Sequence, residues 1–335
     1  MLLITQIAAA CVIAGAPAGG WVRSTNTAST SMLGNHDDDL DLTHLEIMTF
    51  YDFNATAQHG WAVGTFDPYQ LTEWRDAWSK WKMHGMWNLE YLEFGGQKFW
   101  DRSCNAGTDW SCGLRPGWQA PLEAALKVLQ PDLASGALTG VFMGDEPMLA
   151  GISAANITAA ADFIRARIGP KPKLYWNDGC RPFYDGHTEP CIHDPGHNPL
   201  SCWTNESKVP ASVDWISCDT YQDPTVTKSP WPWDPSSVIP EADAVRYFSD
   251  HFIVPKLHPH QKVVVVPGLF GNRSDSWTDT FLSEKVQRYW DWVKMDKRVA
   301  GFNGYHYDTR TSYPGCKGIE SGPCPSLSGH ACCYK

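Results

Sequence analysis

LTGVFMGDEP, residues 138–147, is the stretch on which the fold turns. Leu138 to Phe142 run on without the strict polar alternation of a half-exposed strand, and the segment stops abruptly at Gly144-Asp145-Glu146-Pro147. An apolar run of this length, ending in charge, suits a strand buried on both faces, as in a parallel sheet covered by helices. Its flanks agree. Leu122, Ala125, Leu126 and Leu129 fall at helical spacing before it, and Ile157, Ala160, Ile164 and Ile168 do so after it, over about 153–168.

The same alternation extends in both directions. Towards the N-terminus, MWNLEYLEF (86–94) and LEIMTFYDF (45–53) read as strands. Between them Asp67-Pro68-Tyr69-Gln70 makes a good helix start, with Asp as N-cap and Pro at the first position, and the helix aligns Leu71, Trp74, Trp78 and Trp81. Towards the C-terminus come strands at KLYWNDG (173–179), VDWISCDTY (213–221), KVVVVPGLFG (262–271) and AGFNGYHYDT (300–309). Helices are expected around 241–257 and through Leu282, Val286, Tyr289 and Val293.

Repeated strand–helix alternation is the signature of a parallel sheet with helical crossovers. The predicted fold is α/β, a (β/α)8 TIM-type barrel occupying 44–309, with seven strands visible and one irregular or missing. That strand is sought between residues 95 and 116 or in HGWAVGTF (59–66). An open doubly wound sheet is the alternative, although no Gly-x-Gly-x-x-Gly follows the first strand to favour a dinucleotide fold.

Outside the barrel, residues 1–18 (MLLITQIAAACVIAGAPA) are uncharged and end in small residues, as a signal peptide does. Residues 19–43 read as a flexible lead-in, and 310–335 as a Cys-rich tail packed on the barrel. Removing Cys11 with the signal leaves ten of the 11 cysteines, most of them in loops, and Asn-x-Ser/Thr sequons stand at Asn54, Asn156, Asn205 and Asn272. Both features point to a disulfide-bonded glycoprotein, secreted or in an endomembrane lumen. Cys218 is the exception, lying inside a strand where a buried free thiol would break the even count. A net charge of -10 without any basic run argues against a nucleic-acid partner. No later run of about 18 apolar residues exists to form a transmembrane segment.

In a parallel barrel the reactive groups come from the C-terminal ends of the strands, where the βα loops gather over one mouth. Here those ends carry Tyr51 and Asp52; Glu90 and Glu93; Asp145 and Glu146; Trp176, Asn177 and Asp178; Asp219 and Tyr221; and Tyr305, His306, Tyr307 and Asp308. A single Asp after a strand is most often a helix cap or half of an ion pair. A ring of them is different, because crowded carboxylates raise one another's pKa and can hold a neutral acid beside an ionised partner. Glycosidic cleavage needs that asymmetry. The 17 tryptophans add aromatic faces for sugar rings. Trp74, Trp78 and Trp81 read as core, whereas Trp87, Trp100 and Trp176 are better placed for a cleft. His193 and His197 have zinc-like spacing but lie in a loop with no helix to hold them, so neither a metal nor a cofactor is expected.

GVFMGDEP resembles the strand-four ending of barrel glycoside hydrolases, in which an acidic residue before Pro is the acid/base, and more specifically the Gly-Asp-Glu-Pro endings of several hydrolase-like barrel families. Four further strands follow it, which fits strand four. The resemblance implies Glu146 as general acid and a carbohydrate substrate. The large retaining clan ends strand four in Asn-Glu and strand seven in Glu; here Asp145 precedes Glu146, and KVVVVPGLFG ends without a titratable group. The Asp-Glu pair instead looks like that of N-acetylhexosamine-specific enzymes, which use the substrate acetamido group as nucleophile. The expected catalytic residues are therefore Glu146, Asp145 and Asp219, with Asp219 or Asp308 the base if the mechanism is inverting. Tyr51, Asp52, Glu90, Trp176, Asp178, Tyr221, Tyr305, Tyr307 and Asp308 are expected to bind sugar. A non-catalytic, lectin-like carbohydrate-binding barrel is the alternative, and a purely structural extracellular domain a third reading.

Overall fold

The computed structural model describes residues 44–50, 63–66, 75, 85–101, 113–148, 152–180, 183, 209–219, 240–268 and 279–304. Its main sheet contains, in chain order, β1 (Ile47–Phe50), β2 (Val63–Phe66), β3 (Gly85–Asn88), β4 (Leu138–Phe142), β5 (Lys173–Gly179), β6 (Trp215–Asp219), β7 (Lys262–Val265) and β8 (Val299–Gly304). β3 to β8 form a continuous parallel wall of six strands. β1 pairs with β8 on one side and with β2 on the other, and β2 pairs with β3, so the strand order closes on itself. That order follows the chain without reversal, unlike a doubly wound sheet.

β2 lies within HGWAVGTF, one of the two places where a further strand was expected. It makes LTGVF the fourth strand, four residues of β2 being too few to display a pattern. The other place, 95–116, contributes to two short antiparallel pairs, Glu93–Phe94 with Gln97–Lys98 and Trp100–Asp101 with Gly113–Leu114. The expected strand 86–94 is corrected by the same region. β3 stops at Asn88, whose side chain accepts the Glu90 amide at 3.0 Å and starts a 3-10 turn over Leu89–Tyr91.

Among the described residues four α-helices cover connections between strands: α1 (Gln119–Ser135), α2 (Ala154–Ile168), α3 (Glu241–Phe248) and α4 (Asp279–Met295). α2 begins at Ser153, whose hydroxyl accepts from the Asn156 amide. The core has two layers because both faces of β3 to β8 are covered. Met86, Phe142, Tyr175, Trp215, Val264, Val266 and Ala300 form one buried cluster. Alternating residues, including Trp87, Val141, Leu174, Trp176, Ile216 and Val265, pack with Leu122, Leu126, Ile157, Ile164 and Val293 of the helices. Each such burial contributes about 1.5–3 kcal/mol. At the N-terminal end of the sheet, Glu46 joins the starts of three strands, meeting Lys173 at 2.7 Å, Lys262 at 2.6 Å and the Trp215 indole at 3.2 Å.

Cys218 is not a free thiol: it is bonded to Cys180, joining β6 to the residue after β5. The helix expected from Asp67 lies outside the described residues except for Arg75. Outside them also lie 1–43, 310–335, the sequons at Asn54, Asn205 and Asn272, and the histidine-bearing loop 187–197.

Candidate active site

The chain leaving β4 is fixed from both sides. Trp100 donates its indole N–H to the Met143 carbonyl at 2.7 Å, and the Met143 amide donates to the Tyr175 carbonyl at 2.8 Å. Gly144 follows with φ 121°, where a Cβ would lie 3.1 Å from the Trp100 indole nitrogen. The Asp145 amide donates to Glu90 Oε2 at 3.2 Å, and the Glu146 amide to the Asn177 carbonyl at 3.1 Å. The Met148 amide closes the series on Asp178 Oδ2 at 2.8 Å.

Within this corset Glu146 adopts φ 48°, the one positive value among the described non-glycine residues. Glutamate gains nothing from that conformation, and strain of this kind, on the order of 1–3 kcal/mol, persists where the surroundings over-determine it. Glu146 is half-buried, as is Asp145.

Behind the pair is a polar network. The Asn177 amide nitrogen lies 2.8 Å from Asp145 Oδ1 and 3.3 Å from Asp219 Oδ2, so one side chain touches both carboxylates. Asn177 Oδ1 accepts from the Ser217 hydroxyl at 2.5 Å. Ser217 Oγ is 2.7 Å from the Tyr175 hydroxyl, which accepts from Asn303 Nδ2 at 3.0 Å. Burial pushes the Tyr175 hydroxyl well up, and the charges of Asp219 and Asp145 add to the shift despite its hydrogen bonds to Ser217 and Asn303. It stays protonated through the neutral range.

Of the residues singled out by sequence, Asp145, Glu146, Glu90 and Asp219 are brought together here. Trp176 and Asp178 are not, which corrects their expected role in sugar binding. They alternate with Tyr175 and Asn177 along β5 and belong to its other face. Trp176 is fully buried and packs on Phe183, and its indole donates to Asp178 Oδ2 at 3.0 Å. Asp178 in turn anchors the Met148 and Gly179 amides, so it is a loop anchor. Trp87 and Trp100 are likewise buried in the core rather than open to a cleft. Glu93 is exposed on its hairpin. Tyr51, Asp52, Tyr221, Tyr305, Tyr307 and Asp308 lie outside the described residues.

Sequence reasoning left Tyr175, Ser217 and Asn303 unmarked and gave Asn177 no role. Strand parity is the signal that joins them: counting back in twos from Asp219 selects Ser217, and from Asn177 selects Tyr175.

The end of β7 is occupied differently. Lys285 and Glu241, both buried, pair at 2.9 Å, and Lys285 also donates to the Gly268 carbonyl at 3.1 Å. Tyr289 donates to Glu241 at 3.2 Å, and its hydroxyl is pushed well up by burial and then by the Glu241 charge. These groups tie α3 and α4 to the residues just after β7. From Val263 to Gly268 no titratable side chain is present. Among the described residues no group of three or more His, Cys, Asp and Glu side chains could hold a metal ion, and no helix is long and apolar enough to cross a membrane.

No family model matches the chain, and no curated protein matches it. Among solved structures it resembles GH5_18 from Bifidobacterium longum, at 10% identity over 81% of this chain and 72% of that one, with a TM-score of 0.48. A GH5_18 variant from Streptomyces cattleya, in complex with Manb1-4GlcNAc, is 12% identical over 77% of this chain and 65% of that one, with a TM-score of 0.48. A beta-glucuronidase from an uncultured Clostridium is 11% identical over 72% of this chain, with a TM-score of 0.39, and the chain spans only 37% of its length. These are distant likenesses to glycoside hydrolases.

Proposed function

We propose that the chain is a secreted glycoside hydrolase built on a complete (β/α)8 barrel, with Glu146 as general acid and Asp145 and Asp219 as the neighbouring carboxylates. The observation that carries this reading is the strained Glu146 at the end of the fourth strand, held by amide contacts to the third and fifth, beside two carboxylates that share one amide.

Glu146 in its acid form gives its proton to the glycosidic oxygen as the bond from that oxygen to the anomeric carbon breaks. With no carboxylate from Val263 to Gly268, the electron pair that replaces the leaving group has two sources. In an N-acetylhexosamine substrate the acetamido oxygen attacks the anomeric carbon while Asp145 accepts its N–H; water then opens the ring so formed, giving its proton to the Glu146 carboxylate. In an inverting reaction Asp219 takes the proton of a water attacking the anomeric carbon directly. Glu90, which receives the Asp145 amide, positions that residue. Tyr51, Asp52, Tyr221, Tyr305, Tyr307 and Asp308 remain the proposed sugar-binding set. The lack of a carboxylate from Val263 to Gly268 also favours one further reading, a lectin-like barrel that binds sugar without cleaving it.

Leaving-group dependence tests the acid. Glu146→Gln is expected to lose cleavage of natural glycosides by about 10²–10⁴-fold while retaining most of the rate of phenolate release in the first turnover of aryl glycosides, whose phenolate leaves unprotonated. Equal losses on both substrates would remove Glu146 from that role.

A further inference from the structure

We propose that Asn177 is a positioning residue, locked in one orientation by a directed chain of hydrogen bonds running from Asn303 through Tyr175 and Ser217, and that this lock sets the ionisation of Asp145 and Asp219 together. The direction of every link follows from what each atom can do. Asn177 Oδ1 is a carbonyl oxygen and only accepts, so the single Ser217 hydroxyl proton points at it across 2.5 Å. Ser217 Oγ, having given its proton away, must accept from the Tyr175 hydroxyl at 2.7 Å. The Tyr175 oxygen is then left to accept from Asn303 Nδ2 at 3.0 Å.

Turning the Asn177 amide over would press its oxygen against Asp145 and Asp219 and turn its N–H toward Ser217 Oγ, so that the Ser217 proton loses the carbonyl oxygen it points at. In a network this buried, with Asn177 at 2% and Tyr175, Ser217 and Asn303 at 0–1% exposure, those losses have no solvent to replace them. The lock therefore presents two N–H groups to two carboxylates and nothing that could accept a proton from them. Donors to a carboxylate favour its charged form. Any proton that either Asp takes up must sit on an oxygen turned away from Asn177. In the proposed reaction, that leaves Asp145 an acceptor aimed outwards. The catalytic part of this inference rests on the hydrolase reading; the lock itself does not.

The described titratable groups facing the cluster are Asp145 and Glu146 after β4, Glu90 on the turn after β3, Tyr175 on β5 and Asp219 on β6. None comes from β8 or from Val263–Val266 of β7. The test follows the aspartate carboxyl carbons by 13C NMR across pH, assigned with Asp145→Asn and Asp219→Asn, in wild type, Ser217→Ala, Tyr175→Phe and Asn177→Leu. The expected result is a rise of about one pH unit in both carboxyl midpoints for Asn177→Leu, with smaller rises for Ser217→Ala and Tyr175→Phe. The acid limb of the kcat profile should move the same way. A packing role would lower the melting temperature and leave the midpoints in place, and that result overturns the proposal. Tyr175→Phe deletes one oxygen and keeps the ring, so it decides the matter even if the larger changes prevent folding. No substrate enters the titration: a wild type without turnover refutes the hydrolase reading alone, while the carboxyl midpoints decide the lock.

Discussion

Glu146 bears two separable properties, a carboxyl for chemistry and a left-handed backbone that its own type disfavours. Glycine would accept that backbone without a Cβ penalty, at the cost of a more entropic unfolded chain. Glu146→Gly is therefore expected to raise unfolding stability by up to about 1 kcal/mol while abolishing turnover; urea denaturation beside an activity assay checks both. A variant less stable than wild type would show that the Glu146 side chain supports the fold. At this scale the charged members of the site were legible, because Asp and Glu at the ends of apolar runs stand out. The neutral members were not. β5 is buried on both faces, so KLYWNDG carries no apolar–polar alternation to say whether Tyr175 and Asn177 or Trp176 and Asp178 face the site. Conspicuous charge and aromaticity favoured the second pair, and the structure uses the first.

Among the strands, β4 depends on Gly140 for its approach to β5. A Cβ there would lie 1.8 Å from the Lys173 carbonyl oxygen, which is backbone and cannot swing aside. Gly140 pairs with Met86 of β3 and with Lys173 of β5, so the added methyl would part the strands that place Asp145 and Asn177. Gly140→Ala is expected to lower stability by about 1–3 kcal/mol and to reduce turnover through misplacement; chemical denaturation read beside kcat checks this, and an unperturbed variant would contradict the tight β4–β5 packing. Elements with long patterns were readable from sequence. α1 and α2 show helical periodicity over several turns, and β5 was bounded correctly. β3 was read too far, because LEYLEF looks like strand until the Asn88 side chain is seen to turn the chain.

For the molecule as a whole, one end of the sheet is tied by an ion-pair cluster and the other carries the candidate site. Glu46 gathers Lys173, Lys262 and Trp215 at the N-terminal end, while the carboxylates of the candidate site crowd the opposite end. Burial draws the Glu46 carboxyl upward, but hydrogen bonds and charge from Lys173 and Lys262 outweigh it and hold the group below its ordinary 4.5. A depressed folded pKa contributes stability that is fully present above the unfolded value and is lost as pH falls through the folded one. Glu46→Gln should thus be less stable than wild type at pH 7, with the gap closing below about pH 4; urea unfolding across that range measures it, and a gap independent of pH would assign the loss to packing. The alternation of elements announced the barrel class, but not which loop cysteine Cys218 would meet. Its partner, Cys180, is 38 residues away in sequence and adjacent only once β5 and β6 lie side by side.

The central claim is that this mouth cleaves glycosidic bonds with Glu146 as the acid. The most direct test is hydrolysis of a glycan panel, N-acetylhexosamine polymers included, by secreted wild-type protein and Glu146→Gln, with binding recorded for both. Cleavage by wild type, lost in a folded variant that still binds, is the expected result; binding by both proteins with cleavage by neither would contradict it and leave a lectin-like barrel.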